Sequence, residues 1–501
     1  MRFSSSVAAS LLLLATMACG RAETPNPEIG AAIEAAGGNA AVQRFYSVAG
    51  WALAWSTENA AALDKALGER ARHGLDHVEF LKRPDAGASA AEQDVARTAT
   101  ALAYADALSR GFVEPHSVHD VYTIPRPAPD LAPGLYQALQ DGRLAQWFDS
   151  LAPQSEEYRA LSGAYLGFRT AAARERQTPI PDDGELIHVG DADPRLPEIE
   201  GQLRANGYLP PDGSAAAAGA AYTRQMAKAM TQLQRDYGLP DDGVIGRDTL
   251  AVLNMGPGAR ARATAVAMER LRWLTRDPPG TRIDVNVATA ELTYWREGEA
   301  ADRRKAIVGK PDSVTPQLQA PLFRLVANPS WTVPRSIENG EIARKGAGYL
   351  RAQNMARRDG WIVQQPGPKN ALGLVKFDLA HKHAIYLHDT PAKTLFSRSQ
   401  RQLSHGCVRV EDALGFARML AEEQGITEQW EQARGTGKET FVKLPRSIPV
   451  RLLYHTAFLG PRGDVQLRTD PYGWDDRLAE KLGFEKQTRA QFRGERDDIG
   501  P

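Results

Sequence analysis

Cysteine is almost missing from this chain, which holds only Cys19 and Cys407 in 501 residues. Two such residues exclude a disulfide framework and argue against a thiolate zinc site. Neither sign of charge is in excess: 61 Lys and Arg face 61 Asp and Glu, so net charge gives no reason to propose a nucleic-acid binder or a basic membrane-surface protein. Long apolar runs are lacking too, since the one at residues 7–15 is too brief to span a bilayer comfortably. Metal-ligand spacings such as H-E-x-x-H are scarce, and no metal or other cofactor is called for. What remains is ordinary globular text, 43% hydrophobic and 24% charged, which argues against wholesale disorder and against a polytopic membrane protein. At roughly 150 residues per domain the length suggests about three domains.

The start reads as a secretory signal over residues 1–22: Met1-Arg2-Phe3, the short apolar run, then small residues at Ala18, Cys19, Gly20 and Ala22 before Thr24-Pro25-Asn26-Pro27. An exported chain follows from this. Cys19 has two readings. Residues 14–20 resemble a lipobox that would lipidate it, apart from Thr16 where Leu is favoured; alternatively cleavage falls near Ala18, Gly20 or Ala22. Under both, Cys407 is left as the one free thiol of a protein sent to an oxidising compartment, which invites a functional reading.

Residues 31–176 are helical in pattern, with apolar positions such as Leu63, Leu67, Leu75, then Ala101, Tyr104, Leu108, then Leu135, Leu139, Leu144. They predict a helical scaffold, broken once by Ile124-Pro125-Arg126-Pro127-Ala128-Pro129. Residues 190–256 predict three short helices. Met226, Met230, Leu233 and Tyr237 share one face of the second, which stops at Gly238-Leu239-Pro240. Residues 257–280 read as a connecting helix. From 281 the apolar period becomes two, as in Ile283, Val285 and Val287, and a β-rich domain is expected over 281–446. A mostly helical, basic stretch at about 335–360 interrupts it and is too long for an ordinary loop, so it reads as a cap over a site. Residues 447–501 are left as a carboxy-terminal extension.

Reactive side chains are densest at His388-Asp389-Thr390-Pro391 and, sixteen residues after His388, at Ser404-His405-Gly406-Cys407-Val408-Arg409. A cysteine of ordinary acidity is only a few per cent thiolate at pH 7, so acyl transfer needs a partner such as imidazole to take its proton. His388, at the end of the apolar run Ile385-Tyr386-Leu387, is placed to be held rigidly. His405, two residues before the thiol, reads as structural or substrate-contacting. Gly406 permits a turn that aims consecutive N–H groups at a carbonyl oxygen.

This pattern resembles the catalytic signature of the L,D-transpeptidases, the YkuD-type domain. Trp331-Thr332-Val333-Pro334, residues 365–373, Tyr386-Leu387-His388-Asp389-Thr390-Pro391 and Cys407-Val408-Arg409-Val410 are similar to the large YcbB-like branch. The segment with Gln234, Tyr237, Gly238-Leu239, Asp242-Gly243-Val244-Ile245-Gly246 and Leu253-Asn254 resembles a peptidoglycan-binding domain; a generic helical spacer is the competing reading. The resemblance implies a multidomain α+β protein with a helical scaffold, a three-helix peptidoglycan-binding domain and a β-rich catalytic domain carrying a helical cap insertion.

It also implies roles. Cys407 is the nucleophile and His388 the general acid/base, with His405 and Gly406 in the turn that stabilises the oxyanion. Ser404, Arg409 and Asn370 are expected to contact substrate, Arg409 either through a substrate carboxylate or by anchoring the turn on a buried acid. For Asp389 the expectation is that it points elsewhere. The implied donor is a peptidoglycan tetrapeptide stem losing D-Ala through a cysteine thioester, and the acceptor is the amine of a neighbouring stem. Sacculus glycan is the implied binding partner, carbapenems the implied inhibitors, and a bacterial periplasm the location. The alternatives are an L,D-carboxypeptidase or D-amino-acid exchange enzyme with the same dyad, and a non-catalytic peptidoglycan-binding scaffold.

Overall fold

The computed structural model describes residues 26–80, 87–174, 179–210, 221–460 and 462–486. The expected signal with Cys19, the Ala-rich stretch at 214–219 and the last part of the carboxy-terminal extension lie outside the described residues. The chain divides into two units. The first holds the described residues up to Lys65, Phe80–Tyr104 and Asp130–Trp147 and is helical. Its short helices Pro27–Ala35 and Ala40–Val48 start at Asn26 and Asn39, whose side chains accept from Glu28 N at 3.0 Å and Ala41 N at 2.8 Å. Buried Asp94 knits the interior by accepting from Tyr46 OH at 2.5 Å and from Ala54 N and Trp55 N at 3.0 Å.

The second unit takes in Ala66–Glu79, Ala105–Pro129 and the chain from Phe148 onward. The expected scaffold of residues 31–176 is therefore divided, although its helical character holds. The cause is the helix Pro257–Trp273, read from sequence as a connector. It is buried on nearly all sides from Ala261 on, as a central helix must be. Arg272 has no exposure; it pairs with Glu269 at 2.5 Å and donates to His73 O and Tyr158 OH, both at 2.8 Å. Glu269 also accepts from Val113 N at 2.7 Å, and Arg270 pairs with Asp475 at 2.5 Å. These contacts draw 66–79, 105–129 and 148–174 into the second unit.

The three-helix segment has helices at Leu196–Ala205, Arg224–Tyr237 and Arg247–Leu253. Gly238 ends the middle one at φ 74°, a conformation that glycine adopts without strain. Gln234 is the staple: its Oε1 accepts from Gly243 N at 2.9 Å, and its Nε2 donates to Val244 O at 2.8 Å.

Nine strands build the main sheet, in the order β10-β3-β11-β9-β8-β4-β12-β1-β2. They are β1 (Arg282–Asn286), β2 (Glu291–Arg296), β3 (Glu299–Gly309), β4 (Leu318–Ala327), β8 (Val375–Leu379), β9 (Leu387–His388), β10 (Gln402–Ser404), β11 (Val408–Val410) and β12 (Thr440–Leu453). The apolar alternation buries Ile283, Val285, Leu387 and Val408 in one core beneath the helix Ala413–Glu423. Strand β12 runs antiparallel to β4 and parallel to β1, pairing Val450 with Ile283 and Leu452 with Val285. The expected boundary at 446/447 therefore falls inside a core strand, because Lys443 to Ile448 includes a register shift that masks its period of two.

The insertion has its own small core of Trp331, Val333, Ile337, Ile342, Met355, Ile362 and Leu372. Helical turns occupy Arg335–Ile337, Glu338–Ile342 and Ala347–Ala352. The remainder is a sheet of β5 (Trp331–Thr332), β6 (Met355–Arg358) and β7 (Trp361–Gln364) in the order β5-β7-β6. The hairpin turns at Asp359 and Gly360, both at positive φ, the conformation an Asp-Gly pair favours. A separate hairpin, β13 (Ala457–Leu459) with β14 (Val465–Leu467), follows β12.

Candidate active site

The site rests on two short parallel strands. β9 and β11 pair Leu387 with Val408 and His388 with Arg409. Since Leu387 and Val408 face the core, alternation turns Tyr386, His388, Cys407 and Arg409 to the other face. On the far side of β9, Lys376 of β8 stands opposite His388. The sequence motif thus becomes one surface of a sheet whose backbone is hydrogen-bonded on both sides.

His388 is fully buried. Its Nδ1 lies 2.5 Å from the Asp389 carbonyl oxygen; a carbonyl only accepts, so Nδ1 carries the proton. Nε2 is then a lone pair, buried and with no hydrogen-bond partner. Burial holds the imidazole well below its ordinary pKa, and the charges of Arg409, Lys376 and Lys393 push the same way. The resting ring is neutral, with its basic nitrogen unspent.

Cys407 is buried on the same face. Burial pushes the thiol up to about 11, against hydrogen bonds from the backbone and hydroxyl of Tyr386 and the charges of Arg409 and Lys376, which pull it down. The sulfur lies 3.8 Å from Ala384 O, to which the thiol donates. The resting pair is accordingly thiol and imidazole, and the environment that lowers the thiol pKa, Tyr386 and two cations, is already assembled around the sulfur.

The turn before Cys407 is internally tied. Ser404 Oγ accepts from Gly406 N at 3.1 Å and donates to Cys407 O at 2.6 Å. Gly406 sits at φ 114°, where a side chain is strained. Ser404, expected to contact substrate, is fully buried with its hydroxyl spent inside the turn, and the Gly406 N–H expected to face an oxyanion is committed to it. His405 reaches the cap instead: Nε2 lies 2.6 Å from Glu341 Oε1, with Lys310 Nζ 3.0 Å from the same nitrogen.

Asn370, also expected at the substrate, is buried and shapes its loop: Nδ2 donates to Gln365 O at 2.9 Å and Oδ1 accepts from Leu372 N at 2.8 Å. Arg409 is buried on the dyad face, beside His388. Asp389 points away from the dyad, accepting from Leu374 N at 2.9 Å and from Lys393. Reasoning from sequence passed over three groups. Tyr386 was findable, since a period of two puts it on the face of His388. Glu341 and the Ala384 carbonyl carried no signal: one comes from a distant insertion, the other from the backbone of a loop closed by His381 Nε2 on Ile385 O at 2.6 Å.

Residues 280–438 match the family model described as L,D-transpeptidase catalytic domain, residues 40–164 one described as Scaffold domain, and residues 193–253 one described as "Putative peptidoglycan binding domain". A curated relative from Haemophilus influenzae, named "Putative L,D-transpeptidase", is 32% identical over 238 residues, covering 43% of this chain and 48% of its own. The chain spans about half the length of that relative. Among solved structures, a cysteine-to-serine variant of the Enterococcus faecium L,D-transpeptidase is 13% identical, covering 36% of this chain and 53% of its own, with a TM-score of 0.20. The L,D-transpeptidase fragment from Xylanimonas cellulosilytica is 16% identical, covering 54% and 99%, with a TM-score of 0.18.

Proposed function

We infer the reaction from the family of the catalytic domain: residues 280–438 are a YkuD-type L,D-transpeptidase domain, and we read Cys407 as its nucleophile and His388 as its general acid/base. The observation that carries this reading is the unpartnered, buried Nε2 of His388 on the same sheet face as the Cys407 thiol. The sulfur attacks the carbonyl of the bond between the L-centre and D-Ala of a tetrapeptide stem while Nε2 takes the thiol proton. The C–N bond then breaks, and the imidazolium returns its proton to the departing D-Ala amine. A thioester remains. The side-chain amine of a neighbouring stem attacks it and yields a proton to His388; the crosslink forms and the thiol is restored.

The neutral resting pair suits this sequence. An imidazolium at rest has no site for the thiol proton, whereas neutral Nε2 accepts it at the moment of attack. Arg409 and Lys376 lower the cost of negative charge at sulfur in the dry site. The peptidoglycan-binding domain supplies proximity to the polymer without chemistry, and a start resembling an export signal supports action in the periplasm, where that polymer lies. Carbapenems, as acylating mimics of the donor, fit the same thiol.

Product analysis on purified tetrapeptide muropeptides tests the reading. Crosslinked dimer with release of D-Ala supports it; release of D-Ala without dimer assigns water as acceptor, and no release of D-Ala overturns it.

A further inference from the structure

A cavity of about 570 Å³ lies where three segments of the second unit meet. Tyr237 and Asp241 come from the peptidoglycan-binding domain, Ser399 and Gln402 from the catalytic domain, and Arg468 is the residue that follows β14. Its walls are fixed to one another. Ser399 Oγ donates to Asp241 at 2.9 Å, Thr469 N to Tyr237 O at 3.2 Å, and Arg468 N to Thr456 O at 2.7 Å. The Asp241 carboxylate is occupied by Arg235 at 2.9 Å as well. A space bounded by pinned elements is pre-formed for a ligand of a few hundred Å³.

Arg468 is the unexplained wall. Its guanidinium lies over the Phe458 ring at 5.5 Å, and its Nη1 is buried with no hydrogen-bond partner. Among the described residues no carboxylate bonds to it. Burial pulls its pKa down, and Glu291 and Asp236 act on it only at range. The residue is half-buried, and a planar fork of this kind matches a carboxylate. The hydroxyls and amides around it, such as Ser399 and Gln402, suit a ligand that is polar elsewhere. Gln402 Nε2 is spent on Ala288 O at 3.0 Å, which leaves its carbonyl oxygen as an acceptor.

Position narrows the ligand. One wall is the end of the Arg224–Tyr237 helix and the turn after it; the other leads into β10, which runs from Gln402 to Ser404 and on to Cys407. Whatever sits there touches both the polymer-binding domain and the strand that delivers the nucleophile.

We propose that this cavity is a second, non-catalytic subsite that holds a carboxylate-bearing glycopeptide of the cell-wall polymer, with Arg468 gripping the carboxylate. It rests on the reading of the chain as a peptidoglycan enzyme, and names a subsite that reading does not contain. The subsite positions a strand beside the reacting stem and has no part in bond making.

The test uses full-length protein and two probes, a disaccharide tetrapeptide with free carboxylates and its amidated counterpart, with binding measured by calorimetry. The wild type should prefer the free acid, and Arg468→Gln should lose about tenfold or more of the affinity for it while binding the amidated probe as before. Arg468→Lys, with charge but no fork, should fall between. A purely structural Arg468 would lower the melting temperature of Arg468→Gln and leave the acid-to-amide ratio untouched, and that result overturns the proposal. Equal affinity of the wild type for the two probes overturns it too. Carbapenem acylation of the wild type is run alongside: its failure contradicts the catalytic reading and leaves the acid-to-amide result standing.

Discussion

Glu341 of the insertion lies 2.6 Å from Nε2 of His405, two residues before Cys407. The carboxylate accepts from the ring N–H, so the insertion is tied to the turn that carries Cys407; in the proposed reaction this contact would join closure of the site to the geometry of the nucleophile.

Glu341→Ala should release this latch. Water then reaches the thioester more readily, and the ratio of hydrolysed tetrapeptide to crosslinked dimer should rise several-fold while total D-Ala release changes less. Chromatography of the muropeptide products measures both, and an unaltered ratio would make the contact incidental.

Tyr386→Phe removes the hydroxyl that bonds toward the sulfur. A hydrogen bond to a developing charge is worth enough that alkylation and acylation of Cys407 should slow about tenfold. The pH profile of iodoacetamide labelling should move upward, because the thiol becomes harder to ionise. A variant labelled at the wild-type rate with the wild-type profile would show that the hydroxyl only fills space.

Glu269→Gln leaves Arg272 buried without its counter-charge. Removing one partner of a buried pair costs about 3–5 kcal/mol. Chemical denaturation of the second unit's transition should show that loss, and a change within experimental scatter would mean that Tyr158 and His73 suffice to hold the guanidinium.

His73 and His119 are buried and held down to about 3 by desolvation first and by neighbouring arginines second. Their folded pKa values lie below the unfolded value near 6.5, so they bind fewer protons folded than unfolded. The stability they contribute is present above pH 6.5 and is lost as pH falls toward 3, at about 1.4 kcal/mol per pH unit for each histidine. Urea midpoints between pH 7 and pH 4.5 should decline, and His119→Gln should flatten the slope. A slope that does not change on substitution assigns the acid sensitivity to other groups.

Much of this was legible in the chain, for identifiable reasons. Cys407 and His388 could be singled out because the one stands alone and the other ends an apolar run, and their shared sheet face follows from a period of two. The middle helix of the three-helix segment could be bounded because Gly238 stops it. Long-range partnership was not legible. Nothing local to Glu341 points to His405, and nothing local to Arg270 and Arg272 shows that Asp475 and Glu269 neutralise them within the fold. Ser404 and Asn370 looked like substrate contacts because polar residues in a motif are ambiguous between binding a ligand and tying their own loop.

The central claim is that Cys407, paired with His388, is the acylated residue. Intact-mass measurement after incubation with a carbapenem tests it most directly. The wild type should gain the mass of one inhibitor, Cys407→Ala should gain none while keeping the wild-type circular dichroism, and His388→Ala should gain it on the order of 10²-fold more slowly. An adduct of equal yield on Cys407→Ala, or none on the wild type, would contradict the account.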